Sequence, residues 1–170
     1  MNIRLAAVAA AITGLLATAA PASAAVGAGA FDARNPEDVL KVLSTNGASG
    51  EMMKEDNGKP FISAKAGKLS FDVHFFRCND AKTLCDVVLY QIGFDSELAS
   101  VEQINRWNAW TLMCPAYLTT EKHPHALVSA IVSAGSSRAE VAAHQEEWLK
   151  CLSDFDQFTD DPEAFLKAHE

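Results

Sequence analysis

Leu69-Ser70-Phe71-Asp72-Val73-His74-Phe75 alternates apolar and polar side chains one by one. That is the period of a strand with one buried face. Val87 to Phe94 follows as a second long strand, apolar on both sides except at Gln91. The linker Asn79 to Leu84 is polar and short enough to turn a hairpin. These two runs make the centre of an antiparallel sheet. Towards the N-terminus, Phe61-Ile62-Ser63-Ala64 and Glu51 to Lys54 add two strands, with Asp56-Asn57-Gly58 as the turn between them. Towards the C-terminus, Tyr117 to Thr120 and Leu127 to Val132 read as a last hairpin. Glu121-Lys122-His123-Pro124-His125 is its expected turn.

Helices flank these strands. Asn35 is a good N-cap, Pro36 suits the first helical position, and Val39, Leu40, Val42 and Leu43 form a stripe that Gly47 ends. The spacing predicts a helix over 36–45. Ser100 with Gln103 and Ser137 with Glu140 are capping boxes. The first opens a helix to about Trp110, before Pro115. The second opens one over about 138–157, with a short acidic tail helix after Asp160-Asp161-Pro162. The order α-β-β-β-β-α-β-β-α is that of an α+β fold, an antiparallel β-sheet with helices at both ends packed on one face.

The chain of 170 residues carries 14 basic and 22 acidic groups, a formal charge of −8. Met1-Asn2-Ile3-Arg4, the uncharged apolar run Leu5 to Ala20 and Ala22-Ser23-Ala24 read as a signal peptide over residues 1–24. Ala28-Gly29-Ala30 is a second possible cleavage site. Residues 25–170 then form a single domain. Without Arg4, its 13 basic groups face 22 acidic ones, giving −9. A polyanion gains nothing from releasing counterions of phosphates, so nucleic acid is excluded as a partner. No membrane insertion is expected after cleavage, and the compartment is periplasm or secreted.

An oxidising compartment makes four cysteines a disulfide framework. No C-x-x-C occurs, which removes the thioredoxin motif and the zinc knuckle. Cys78 and Cys85 flank the mouth of the central hairpin and face each other there. That leaves Cys114 for Cys151, with two buried free thiols as the alternative.

The chain resembles the YbjN-like family of bacterial sensory transduction regulators. The residues that carry the resemblance are Phe31-Asp32-Ala33 with Pro36, Cys78 and Cys85 followed by Gly93-Phe94-Asp95, and Ile104-Asn105-x-Trp107-Asn108 leading to Ala116-Tyr117-Leu118, with Trp148 in the last helix. The resemblance implies a fold similar to type III secretion chaperones, which bind other proteins, and no enzymatic activity. Where family members commonly carry a basic or aromatic stretch after the second helix, this chain has Leu112-Met113-Cys114-Pro115.

Asn105 and Asn108 are poor helix formers and need a reason to stand mid-helix, either backbone bonding nearby or contact with a partner. Trp110, Leu112 and Met113 are apolar residues at a helix end and form a candidate docking patch. His123-x-His125 on its turn, His74 and His144 read as ordinary histidines. No metal and no cofactor is expected. No phosphate loop, G-x-S-x-G or H-E-x-x-H occurs. The leading functional reading is an exported, non-enzymatic protein-binding domain, chaperone-like or in envelope sensing, whose partner and oligomeric state the sequence leaves open. The alternatives are an inhibitor of an extracellular enzyme such as lysozyme, and a thiol oxidoreductase using Cys78 and Cys85.

Overall fold

The computed structural model describes residues 30–95 and 97–169. The expected leader over 1–24 and both cleavage sites, apart from Ala30, lie outside the described residues. The elements are α1 (Pro36–Thr45), β1 (Ser49–Lys54), β2 (Pro60–Ala66), β3 (Leu69–Cys78), β4 (Cys85–Gly93), α2 (Val101–Trp110), β5 (Ala116–Leu118), β6 (Pro124–Ile131), α3 (Arg138–Asp160) and α4 (Pro162–Ala168). The six strands form one antiparallel sheet in the order β1-β2-β3-β4-β6-β5. The fold is α+β.

Register follows the alternation. Ala64 pairs with Phe71, while Ile62 pairs with Val73, Val73 with Tyr90 and Tyr90 with Val128. All of these are buried. They share one face because side chains on a strand alternate. On that face α3 lays Trp148 against Phe71 and Tyr90, with ring centroids 5.4 and 5.9 Å apart. The buried Gln145 of α3 donates to the carbonyls of Leu43 and Asn46 at 3.1 and 3.4 Å, satisfying acceptors that the end of α1 leaves open.

Both capping boxes and the Asn35 cap form. Three expectations need correction. The helix expected to end near 157 runs to Asp160, because Phe158 and Thr159 continue the buried stripe and the chain breaks only at Pro162. The spacing of Val101 with Ile104 and Trp107 predicts that it shares their buried stripe, but it is the first residue of α2 and is exposed. The expected turn Glu121 to His125 is shorter, since Pro124 and His125 already belong to β6.

An acidic network fastens the segment before α1. Arg34 donates to both carboxylate oxygens of Asp32, the Asp32 N–H donates to Asp38, and Lys41 pairs with Asp38 at 2.8 Å. The bonds from Arg34 hold the Asp32 carboxyl below the usual carboxylate range. Burial pushes Asp38 up, but the bonds from Lys41 and Asp32 outweigh it and the net shift is down. A carboxylate depressed in the folded state contributes stability that is fully present above its unfolded pKa of about 4 and is lost as pH falls through the folded value. The urea midpoint is therefore expected to fall below about pH 4, and Asp32→Asn with Asp38→Asn to flatten that fall. An unchanged acid limb in the double variant would remove the network from the account.

Candidate interaction site

Helix α2 ends at Trp110 and hands the chain to a short loop, Thr111-Leu112-Met113, that β5 then takes up. Several ties hold the loop at its base. The buried Trp107 indole N–H donates to the Cys114 carbonyl at 2.7 Å. Asn108 brackets Ala116, donating to its carbonyl at 2.9 Å and accepting from its N–H at 2.8 Å. Cys114 and Cys151 stand at disulfide distance and join the loop to α3. The Leu127 N–H donates to the Pro115 carbonyl. Between these ties Leu112 is 93% exposed, Met113 55% and Trp110 37%. An apolar loop held out by a stiff base loses little freedom when a partner covers it.

Under the loop lies a cavity of about 290 Å³. Trp107, Trp110, Leu112 and Met113 form one wall, and Glu147, Lys150, Cys151 and Asp154 of α3 form the other. Burial pushes the Asp154 carboxyl up, against the pull of Lys150 and His169 and with the push of Glu147. On its far side Trp110 packs edge-on against Phe165 and His169 of the C-terminal segment, at 5.2 and 4.8 Å.

The structure thus brings together Trp110, Leu112, Met113, Cys114 and Cys151. It places Asn105 on the exposed outer side of α2, away from the cavity lining. Asn108 is engaged on the Ala116 backbone at both ends of its amide, which makes it a positioning residue. Cys78 and Cys85 pair at the mouth of the β3–β4 hairpin, opposite each other in register, and do not line this cavity. Glu147 and Lys150 went unseen in the sequence, and Asp154, in the acidic run from Asp154 to Glu163, read only as part of a solvated face. A signal was available, since all three lie within four positions of Cys151 and a helix brings such neighbours to one side.

His125 sits on β6 with its Nδ1 accepting from Gln91 at 3.0 Å and its ring against Tyr117. Burial lowers its pKa against the pull of Asp95, which agrees with a neutral ring. A side chain at Gly93 would run its Cβ into that ring, so any larger residue there displaces His125. His74 stacks on Phe61 and lies 3.6 Å from Glu55. Among the described residues no three His, Cys, Asp or Glu side chains gather as a metal site, and no helix is long and apolar enough to cross a membrane.

The chain matches the YbjN family model, described as "Putative bacterial sensory transduction regulator", over residues 35–160. That span is well over half of the chain and runs from the cap of α1 to the end of α3, and the protein belongs to the YbjN family. The description names regulation and no catalytic step. No curated protein matches the chain.

Proposed function

We propose that this protein is an exported regulatory domain that acts by binding another protein, and that Trp110, Leu112 and Met113 are the residues that partner covers. The observation that carries the reading is the tethered, exposed loop above a cavity whose other wall holds Glu147, Asp154 and Lys150. The formal charge of −8 adds long-range attraction for a basic partner. Export is supported by the leader-like first 24 residues and by two cysteine pairs at disulfide distance. Cys114 and Cys151 are each 4% exposed, which suits a structural bond better than a thiol exchange site.

The experiment compares capture from envelope extract by the wild-type protein and by Leu112→Asp, a change at an exposed position that leaves the core alone. A central apolar anchor contributes about 2 kcal/mol or more to an interface, so capture of the specific partner is expected to weaken at least about tenfold. Raising the salt should weaken wild-type capture, because the charged wall is screened. Identical capture by both proteins would overturn the assignment of the loop. If the retained protein is a basic hydrolase whose activity falls on binding, the function narrows to that of an inhibitor.

A further inference from the structure

Two turns at one end of the sheet meet around a second cavity. The β1–β2 turn brings Asn57 and Lys59, and the β3–β4 hairpin brings Arg77, Asp80 and Lys82, around a space of about 500 Å³. It shares no lining residue with the cavity under Leu112 and Met113. The Lys82 ammonium donates to the Asn57 carbonyl and so joins the two turns. The hairpin tip is also fastened from within. Asn79 accepts from the N–H groups of Thr83 and Leu84 at 2.9 and 3.3 Å, and Cys78 pairs with Cys85 at the mouth. Cations placed on such a tip lose little freedom when a ligand engages them.

Charge in this cavity runs against the charge of the chain. The whole chain stands at −8, yet Lys59, Arg77 and Lys82 line the space against one carboxylate, that of Asp80. Glu55 offsets Lys59 from the turn at 3.5 Å. Lys82 is bonded only to a neutral carbonyl, and among the described residues the Arg77 guanidinium has no hydrogen-bond or ion-pair partner. The backbone carries a matching sign. Two of the three non-glycine residues with a left-handed backbone are these two cations, Arg77 at φ 54° and Lys82 at φ 57°. Glycine or asparagine adopts that conformation more readily, and local strain of this kind collects at ligand sites.

We infer that this cavity binds a small oxyanion of two or more charges, a phosphate ester or a di- or tricarboxylate. A guanidinium fork meets a phosphate or carboxylate with two parallel bonds, and an ammonium beside it adds a point charge. Phe76, under the Lys59 ammonium at 3.8 Å, supplies an apolar wall for the body of the ligand. The volume is that of a small-molecule site, and walls from two separate turns suit a compact ligand better than a polyanion lying across a surface. The acidity of the rest of the chain does not oppose this, because at physiological salt exposed charges more than about 8 Å away are largely screened.

The test is an amide NMR titration of the full chain, expressed with its own leader and purified in the form the cell delivers. Inorganic phosphate and citrate are added separately at constant ionic strength. Saturating shifts at Asn57, Arg77, Asn79 and Lys82 are expected, with a Kd of about 1 mM or tighter, while Leu112 and Met113 stay still. Saturation by phosphate alone identifies a phosphate ester, and by citrate alone a carboxylate. Arg77→Gln and Lys82→Gln should each weaken binding at least about tenfold. Asp80→Asn should strengthen it, since one carboxylate fewer faces the anion. Lys65→Gln, at an exposed position on β2 outside the cavity, and Leu112→Asp should leave it as it was. Shifts that never saturate with either anion would overturn the inference. So would binding that survives both cation variants or falls equally in Lys65→Gln. If a cation variant fails to fold, Asp80→Asn still decides, because an affinity no higher than that of the wild type also overturns it.

Discussion

Trp107→Ala is expected to lower the free energy of unfolding by about 3–5 kcal/mol, the usual cost of deleting a large buried ring. Trp107 is fully buried, with Phe155, Phe158, Phe165 and Trp110 all within 5.5 Å of its ring centroid. One side chain thus holds α2, α3 and α4 together. Trp107→Phe separates packing from hydrogen bonding. It keeps most of the ring but leaves the Cys114 carbonyl without the indole donor, at a cost of about 1–3 kcal/mol for an unsatisfied buried group. Trp148 supplies the contrast, because its indole nitrogen is buried with no hydrogen-bond partner in the structure. Trp148→Phe is therefore expected to cost less than Trp107→Phe. Urea unfolding of the three variants decides the matter. A loss below about 1 kcal/mol for Trp107→Ala would mean that the ring is not packed as described.

The reason Trp107 matters was only half legible in the sequence. Its place on a buried stripe with Ile104 follows from helical spacing, and the capping box at Ser100 marks where that helix starts. The indole bond to Cys114 could not be read, because it depends on how the chain turns after Trp110. Local signals of this kind settled most element boundaries: Asn35-Pro36 for α1, the alternation from Leu69 for β3, Ser137 with Glu140 for α3. What they leave out is long-range pairing. The insertion of β6 between β4 and β5 places Leu127 beside Gln91, and nothing near either residue announces it. Pro124 misled for a related reason. A proline between two histidines looks like a turn, yet it is tolerated as the first residue of a strand, where no ladder bond needs its missing N–H.

Replacing Cys114 and Cys151 together by alanine is expected to cost about 4 kcal/mol in the chain-entropy account. The pair closes a segment with a sequence separation of 37, so the unfolded chain gains much freedom when it is opened. The Cys78 and Cys85 pair closes a separation of only 7, and its removal is expected to cost about 2.5 kcal/mol by the same account. The functional consequences should differ more than the stabilities. Without Cys114–Cys151 the loop keeps Trp107 and Asn108 as anchors but is no longer fastened to α3, and the wall formed by Glu147 and Asp154 is no longer held opposite Leu112 and Met113. Partner capture should then fall even at low temperature, where the domain is still folded. Without Cys78–Cys85 capture should persist, since that pair lies at the far hairpin mouth and touches nothing in the cavity. Urea midpoints and capture measured on the same two double variants give both readouts. Capture lost with Cys78 and Cys85 but retained without Cys114 and Cys151 would place the binding surface at the β3–β4 hairpin and remove the loop from the mechanism.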